Sequence, residues 1–477
     1  MDPYRDVPVA DVEAPRDTGI VGDVIAQFAD PLAFYRELVQ NAIDAGSPTI
    51  DVRIDHDDGE QIMRIAVRDR GEGMSRDTIE NQLLVLFRST KENDHTKIGK
   101  FGIGFASVLA PKPRLVTVTS TREGRRLALQ LHPDLSFGLY DGGAATQTGT
   151  VVELEVPVPT AEAVDFIRRS ETSLVRWCKH ATTPIELTAI VGGVELLRRR
   201  IDRPLALDGA LIQASGVSED GALSAVVGLV KERYAGFFNH GLTLYETVGP
   251  ETEAFSFKVQ DSRLGHTISR DDVRRDDAYY CALAFVRQLA SIQLPVVAER
   301  ALRAALLAPD RRGYAELVTE LRRASITPTN GWVVPTLQPA GAAEMSALPA
   351  RVWASARRTP LVSAVQGPVI DLAGNEHWLV DFVEQVGHRR VSRIETSLAL
   401  IAPVETTPTD LVLIDKLREL LVETHRAPAA IVLASVEGAL SERLAFCGDD
   451  SPPPWTIDVD ESRQNPFALL RRRPLVL

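Results

Sequence analysis

The apolar residues of the first 160 positions switch repeatedly between a helical and a strand period, which constrains the fold more than any other feature. Apolar side chains three and four positions apart indicate a helix, and alternating ones indicate a half-buried strand. Because each such element buries one face, this mixture predicts a helical layer packed on a sheet, an α/β (α+β) fold. The pattern predicts helices near 31–46 and from about 75, and strands at 49–54, 62–68, 114–120, 126–131 and 150–156.

The 477 residues correspond to about three domains of ordinary size. Pro157 and Pro159 precede a helical stretch, so we place the first boundary near residue 158. In the second unit we predict strands at 185–190, 223–230 and 242–246 and a long apolar helix from about Asp276. The predicted organisation is an arm at 1–18, a first domain at 19–158, a middle domain at 159–322, a linker at 323–362 and a smaller α/β region at 363–477.

Composition excludes several classes of protein. The net charge of −12 argues against a protein whose main work is to bind nucleic acid. We find no run of about 18 apolar residues, so we expect no membrane span. The acidic, Pro-rich N-terminus is unlike a secretory signal. The three cysteines are far apart, and neither they nor the histidines show ligand-like spacing. We therefore expect a cytoplasmic protein without a disulfide framework or a zinc site.

Three polar residues, Glu37, Asn41 and Asp44, lie within roughly 60° of one another on the first predicted helix. Apolar residues line the adjoining arc, so the trio is expected at the edge of a core. Partial desolvation there raises the pKa of a carboxylate and suits a general base. An amide oxygen beside it is a hard ligand that suits Mg²⁺. The alternative is an ordinary solvated helix face.

A second motif follows the predicted strand at 62–68. It places Asp69 at the strand end and then Gly71, Gly73 and Met74. The carboxylate can accept a hydrogen bond from an exocyclic amine, while glycines let the backbone approach a flat ring. The alternative is a common Asp-Gly turn that ends a strand.

A third motif is rich in glycine and opens an apolar helical run. Gly99, Gly102 and Gly104 bring backbone N–H groups and a helix N-terminus to a place where an anion could bind. The spacing fits neither a P-loop nor a dinucleotide-binding fingerprint. The alternative is a simple glycine-rich helix entry.

Together and in this order, the three motifs resemble the signature of the GHKL (Bergerat-fold) ATPases, which include the heat-shock-protein-90 chaperones, gyrase B, MutL and sensor histidine kinases. The resemblance is closest to the chaperone branch, because its lid and a later strand are matched as well. The matching positions of the nucleotide site are Glu37, Asn41, Asp44, Asp69, Gly71, Gly73, Met74, Asn81, Lys91, Gly99, Phe101, Gly102, Gly104 and Thr150.

The resemblance implies a Bergerat-type two-layer α/β sandwich with a mixed, mainly antiparallel sheet that binds ATP with Mg²⁺. Asp69 would accept a hydrogen bond from the adenine amine, Asn41 would bind Mg²⁺ and Glu37 would be the catalytic base. Residues 75–98 would form a lid. The arm at 1–18 would exchange between the subunits of a homodimer.

The resemblance extends into the second unit at about 230–290. The segments 239–246 and 259–271 are similar to part of the chaperone middle domain. That family places an Arg pair there to meet the γ-phosphate, whereas this chain has Asn239 and His240. Arg233 and Arg270 are the local candidates for the missing contact. The alternative for Arg270, which we favour, is a structural salt bridge.

The resemblance predicts an ATP-hydrolysing, chaperone-like protein that acts on protein clients or partners. The alternative is a nucleotide-switched interaction module with little turnover, which the missing Arg pair and the unfamiliar C-terminal region favour. A histidine kinase would need a phosphoacceptor His before the first motif, and the first His is His56. The acidic balance and the chaperone-type lid disfavour a MutL-like or topoisomerase-like role.

Overall fold

The architecture comes from a computed structural model of the chain. The structure describes residues 8–12, 30–84, 104–249, 253–267, 272–308, 311–356, 367–373 and 377–394, residue 362, and short pieces between 398 and 436. The predicted strands and the first long helix lie within these ranges, whereas residues 85–103, between the second and third motifs, do not.

A nine-stranded sheet forms the base of the N-terminal half, in the order β1-β6-β5-β4-β7-β3-β2-β8-β9. Neighbouring strands are antiparallel except β2 and β8, which are parallel. The mixed, mainly antiparallel sheet of a Bergerat-type fold is thereby confirmed. Its strands are β1 (Pro8–Val12), β2 (Ile50–Asp57), β3 (Ile62–Asp69), β4 (Leu115–Arg122), β5 (Arg125–Leu131), β6 (Phe137–Ala144), β7 (Gly149–Pro157), β8 (Ile185–Val191) and β9 (Val194–Arg200).

Two helices, α1 (Phe34–Asp44) and α2 (Ala163–Cys178), belong to the core of this sheet. Alternate residues of β2 are buried, as the two-residue period predicts for a strand with one face on a core. The predicted helix from about 75 is a short turn, Arg76–Thr78, that continues as a π-helical turn, Ile79–Leu83. Strand β6 was not predicted, because the glycines at 138, 142 and 143 interrupt its apolar alternation.

The first core extends beyond the boundary that we placed near residue 158. Strand β8 pairs with β2, and Leu187, Ala189 and Ile201 are buried with the first core. The prolines at 157 and 159 therefore end a strand but do not end the sheet. Pairing between β2 and β8 is a long-range contact, which a local punctuation signal cannot indicate.

A second sheet has the strand order β10-β11-β14-β12-β13. It packs against the 30-residue helix α3 (Asp277–Leu306), which begins at the N-cap Asp276 as predicted and is followed by α4 (Arg312–Arg323). The strands are β10 (Ile212–Val217), β11 (Leu223–Leu229), β12 (Tyr234–Asn239), β13 (Leu242–Val248) and β14 (Ser256–Asp261).

Helix α3 alone among the described helices is long and apolar enough, by length and composition, to be a candidate membrane span. The sequence did not indicate this candidate, because polar residues interrupt the apolar run of the helix. The inward side of α3 lines the second core through Ala282, Val286 and Leu294, whereas Ile292 and Val296 on its outward side are exposed.

The segment at 323–362, expected to be a linker, contributes to the second core. Trp332 is fully buried, and its indole Nε1 donates a hydrogen bond of 2.8 Å to the Pro295 carbonyl of α3. The segment showed no lasting hydrophobic period, which suggested a linker, because its strands are too short to produce one. They are β15 (Val333–Pro335), β16 (Ala342–Glu344) and β17 (Arg351–Ser355).

The predicted C-terminal α/β region begins on the same core. Strand β17 lies between and parallel to β18 (Val369–Asp371) and β19 (Arg390–Arg393), with α5 (His377–Gln385) connecting the latter two. Phe382 of α5 stacks on Trp332 at a centroid distance of 6.0 Å. Two further strands, β20 (Leu398–Leu400) and β21 (Ala434–Val436), pair with each other.

Candidate functional site

Helix α1 carries the first motif at the edge of the first core. Phe34, Leu38, Val39 and Ala42 are buried, whereas Glu37 is half-buried and Asn41 and Asp44 are exposed. The predicted division of the helix into an apolar face and a polar edge is therefore observed. Partial desolvation raises the pKa of the Asp44 carboxyl; His240 of the second unit lowers it and Glu37 raises it.

Asp69 ends β3 and is held by backbone donors from two directions. Its Oδ1 accepts hydrogen bonds from the N–H of Gly71 at 2.8 Å and of Thr150 at 3.2 Å. Burial raises the pKa of the Asp69 carboxyl, and these two hydrogen bonds oppose the rise. The described residues give Oδ2 no hydrogen bond, so this oxygen is available to an external donor.

A buried hydroxyl links the second motif to β7. The Ser120 Oγ, on β4, accepts a hydrogen bond of 2.7 Å from the Met74 N–H and lies 3.0 Å from the Thr150 Oγ1. Gly73 has φ +69°, and a Cβ there would overlap the Thr121 carbonyl, so only glycine fits this turn. The Ser120 hydroxyl and backbone N–H groups thus connect Asp69, Met74 and Thr150.

The third motif meets the first at Gly104. A Cβ added to Gly104 would overlap the Glu37 carboxylate, so the absence of a side chain lets the backbone lie against this acid. Residues 104–109 that follow are buried and include a short 3₁₀ turn, Ala106–Leu109. The two motifs, 67 positions apart in sequence, are therefore adjacent in space.

Two other predicted residues, Asn81 and Arg233, lie outside the three motifs. Asn81 lies in the π-helical turn, where its Nδ2 donates a hydrogen bond of 2.7 Å to Asp77. Arg233 directly precedes β12. Four predicted nucleotide-site residues and one candidate arginine lie outside the described residues: Lys91, Gly99, Phe101, Gly102 and Arg270.

The end of β12 and the turn that follows it carry the two residues that replace the expected Arg pair. The Asn239 Nδ2 donates hydrogen bonds to the carbonyls of Ser262 and Leu264, at 3.0 and 2.7 Å. It therefore holds the loop that follows β14. His240 is exposed, and its charge lowers the pKa of the Asp44 carboxyl at the end of α1.

Two further residues near the site were not singled out from the sequence. One is Ser120, a polar residue at an inward position of β4, where Val116 and Val118 occupy the preceding inward positions. The other is Arg36, 6% exposed, which hydrogen-bonds His266 of the second unit and lies 5.3 Å from the Trp177 ring. A polar residue on an apolar face is the signal that could have indicated both.

A cavity of about 220 Å³ lies beside the second motif. Its described lining includes Met74, Ser75 and Arg122 but neither Glu37 nor Asp69. The cavity therefore lies beside the turn that follows Asp69 and is separate from the centre formed by the three motifs.

The donors and acceptors at this centre fit a nucleotide with a divalent cation. Asp69 Oδ2 suits an amine on a flat ring, and Asn41 offers an exposed amide oxygen to Mg²⁺. Among the described residues no group of three His, Cys, Asp or Glu side chains could hold a metal ion. Mg²⁺ is usually held by one or two side chains together with substrate phosphates, and one amide fits that arrangement.

Comparison with known proteins supports an ATPase-type domain. Residues 35–136 match the family described as histidine kinase-, DNA gyrase B-, and HSP90-like ATPase. Two relatives are DNA mismatch repair proteins MutL of Neisseria meningitidis, from serogroups A and C. Each is 31% identical over 175 residues, covering 35% of this chain and 25% of the relative. The chain thus spans about a quarter of the length of these relatives.

The match beginning in α1 supports the GHKL-type domain predicted from the motifs. The narrower expectation of a chaperone-type member gains no support, because both relatives carry a mismatch-repair name. The expectation against a MutL-like protein rested on overall charge and on a lid at 75–98, of which residues 85–98 lie outside the described ranges. Overall charge describes the whole surface and does not identify the branch to which one domain belongs.

Proposed function

We propose that the N-terminal unit binds ATP with Mg²⁺ and hydrolyses it. The observation that carries this proposal is the Asp69 carboxylate, whose Oδ1 is fixed by two backbone donors while Oδ2 has no described partner. Such a carboxylate accepts a hydrogen bond from the 6-amino group of adenine and repels the 6-oxo group of guanine or hypoxanthine. The matched ATPase-type family supports the same conclusion.

In the proposed reaction Glu37 accepts a proton from the water that attacks the γ-phosphate. Its half-buried position against the Gly104 backbone places the carboxylate where the first and third motifs meet. Asn41 would hold Mg²⁺, which neutralises charge on the phosphates. Asp69 orients the adenine at the other end of the nucleotide. Positioning and electrostatic stabilisation supply most of the rate in phosphoryl transfer.

We further propose that nucleotide-dependent movement passes from the first unit to the second. The supporting contact is the hydrogen bond between Arg36 of α1 and His266 of the second unit. His240 of the same unit also lowers the pKa of the Asp44 carboxyl at the end of α1. We consider two functions, or outputs, that this movement would drive. The sequence resemblance at 230–290 favours the remodelling of protein clients, and the mismatch-repair relatives favour an action on DNA. A nucleotide-switched module with little turnover would use the same contacts.

Discrimination at the 6-position of the base tests the ATP site. We expect a Mg²⁺ complex of a non-hydrolysable ATP analogue to bind at least about tenfold more tightly than the matching inosine analogue, because a site built for a hydrogen bond rejects the analogue that lacks it. Equal affinity for the two would contradict the assignment of Asp69.

Stimulation of turnover separates the two outputs. ATP hydrolysis would be measured with the full chain alone, with a permanently unfolded protein and with duplex DNA, at one salt concentration throughout. Stimulation by the unfolded protein supports the chaperone-like output, and stimulation by DNA supports the repair-like output. Tight ATP binding without turnover under all three conditions would support the switched module and contradict hydrolysis.

A further inference from the structure

One face of the small C-terminal sheet carries a pair of arginines, apart from the proposed nucleotide site. Strand β17 pairs in parallel with β19, and Arg351 lies directly opposite Arg390 in this pair. Residues in register on neighbouring strands extend to the same face of a sheet, so the two guanidinium groups are neighbours. Both arginines are exposed, and each is the first residue of its strand. The fold therefore places two like charges side by side.

No acid neutralises these charges within the part of the chain that the structure describes. There, Arg351, Arg390 and the adjacent Arg389 form no ion pair. The Arg389 guanidinium donates instead to the backbone carbonyls of Leu348 and His388, at 3.0 and 3.4 Å. Three positive charges are thus gathered at the N-terminal ends of β17 and β19.

An acidic side chain does approach β19, but its role is structural. The Glu384 Oε1 of α5 accepts a hydrogen bond of 3.0 Å from the Val391 N–H, and among the described residues Glu384 forms no ion pair. Like charges directly opposite each other on neighbouring strands are destabilising. Guanidinium groups bind phosphate oxygens through pairs of N–H donors, and a phosphate between two of them would remove their repulsion. The positive charge therefore favours an oxyanion ligand.

A half-buried tryptophan continues the same face. Trp353 follows Arg351 by two positions on β17, about 6.6 Å along the strand, so both side chains extend to the same side of the sheet. Ser392 of β19 lies opposite Trp353. The small hydrophobic cluster that the Trp353 ring packs against consists of Leu337, Val369 and Ile394. This packing holds the ring beside the two arginines.

We propose that this face binds a segment of single-stranded nucleic acid, with backbone phosphates at the arginines and one base stacked on Trp353. The residues of the face, which we call the Arg–Trp face, are Arg351, Trp353, Arg389, Arg390 and Ser392. Proteins that bind single strands combine cationic side chains along the backbone with aromatic rings on which bases stack. A single strand is required because its bases are free to stack on a protein ring.

The composition of the Arg–Trp face favours nucleic acid over an acidic protein segment. An acidic peptide would neutralise the arginines and leave the ring of Trp353 without a counterpart, whereas a nucleotide supplies an anion and a flat ring together. Contacts to phosphates carry no sequence information, so we expect little dependence on base sequence. The net charge of −12 describes the whole surface and does not exclude one basic face.

The test is a fluorescence-anisotropy titration of a labelled oligothymidylate of about 12 nucleotides with the full chain. A saturating Mg²⁺ complex of a non-hydrolysable ATP analogue occupies the nucleotide site throughout. We expect the logarithm of the binding constant to fall with the logarithm of the salt concentration with a slope of about −1.4 to −2.1, because each phosphate contact contributes about −0.7. No binding at low salt would overturn the proposal.

The proposal does not depend on ATP binding, because no residue of the three motifs belongs to the Arg–Trp face. Asp69→Asn should therefore bind the oligothymidylate as the natural chain does, whether or not it binds the ATP analogue. Loss of oligothymidylate binding in this variant would place the strand at the nucleotide site and overturn the proposal.

Arginine variants test the phosphate contacts. Arg351→Gln and Arg390→Gln should each weaken binding and make the salt slope shallower by about 0.7. Arg168→Gln, which removes an exposed cation from α2, is the matched control and should change neither quantity. An unchanged slope in both variants of the Arg–Trp face would overturn the proposal.

An abasic oligomer of the same length tests the stacking, because it carries the phosphates without the bases. We expect it to bind at least about fivefold more weakly than oligothymidylate, and Trp353→Leu should abolish this preference. Because Trp353 packs on a hydrophobic cluster, the exposed arginine variants decide the outcome if Trp353→Leu fails to fold. Equal affinity of the natural chain for the two oligomers, tighter binding of duplex DNA, or equally tight binding of polyglutamate would overturn the proposal.

Discussion

Two residues at the proposed nucleotide site have separate proposed roles that mutation can distinguish. Asp69 holds its place through backbone donors and offers one oxygen to a ligand. Glu37 contacts the Gly104 backbone at the other end of the site. Loss of the first should affect binding, and loss of the second should affect chemistry, because they act on different parts of the nucleotide.

For Asp69→Asn we expect about ten- to hundredfold weaker binding of an ATP analogue. A hydrogen bond to a charged acceptor is worth about 1.5–3 kcal/mol, and the new amide NH₂ would face the adenine amine. Isothermal titration measures the effect, with Asp51→Asn on neighbouring β2 as the control. Tight binding by the Asp69 variant would place the adenine elsewhere.

For Glu37→Ala we expect hydrolysis to fall by about 10²–10⁴ while analogue affinity stays within several-fold, because the substitution deletes a base and no binding contact. Glu37→Gln, which preserves the shape beside Gly104, should behave alike. Single-turnover kinetics and calorimetry together provide the readout. A parallel loss of binding and turnover would contradict the role of Glu37.

Ser120→Ala tests the buried hydroxyl that joins the second motif to β7. It leaves the Met74 N–H and the Thr150 hydroxyl without their described partner, so we expect a loss of about 1–3 kcal/mol in the free energy of unfolding. Urea denaturation measures this loss. Thr119→Ala, at the preceding position of β4 with its side chain on the opposite face, should reduce the free energy of unfolding by less. An equal loss of unfolding free energy in the two variants would show that the hydrogen bonds of the Ser120 hydroxyl do not stabilise the fold.

At the scale of elements, the N-terminal arm is partly built into the first sheet. Residues 8–12 form β1, which pairs antiparallel with β6 and so covers an edge strand. The sequence pattern predicted an arm at 1–18 that is separate from the first domain at 19–158. The paired edge means that removing the arm exposes the backbone donors and acceptors of β6.

Deleting residues 1–16 should change ATP turnover while leaving analogue affinity nearly unchanged, because β1 lies at an edge of the sheet and the residues around Asp69 lie on β3 and β7.

Amide exchange over 75–98 should be fast without nucleotide and slow with a non-hydrolysable ATP analogue, as expected of a closing lid. Unchanged turnover in the truncated chain would contradict the role of the arm, and equal exchange in both states would contradict the lid.

At the scale of the whole molecule, the two units are joined by polar contacts as well as by packing. Arg36 reaches His266, and at the end of α2 Lys179 pairs with Glu246 of β13 and His180 accepts a hydrogen bond from the buried Lys258 of β14. A buried ammonium costs free energy while it is charged. The connection between the units therefore depends on the ionisation of Lys258.

The free energy of unfolding should report this dependence. The pKa of Lys258 is about 8 in the folded chain and near 10.5 in the unfolded chain, so between these values the unfolded chain binds more protons. Stability then rises with pH in that window. Relative to Lys258→Met, the natural chain should gain stability from pH 8 to pH 10, measured by urea denaturation without added anions. A difference that stays constant across this range would contradict a lowered pKa.

The sequence by itself determined the local features of the first unit. Period and turn chemistry identified α1, most strands of the first sheet and the polar edge with Glu37, Asn41 and Asp44. The same local reasoning identified Asp69 and the glycines beside it, because a strand end and a turn that needs φ > 0 leave short-range signals.

Only the tertiary structure decided which distant residues meet. It brought Ser120 to Met74 and Thr150, placed Arg36 against His266, added β8 and β9 to the first sheet and buried Trp332 against α3. Strand pairing and burial depend on partners far away in the chain, whereas periodicity reports only whether a residue faces some core. The sequence therefore specified the chemistry of each motif, and the fold decided its neighbours.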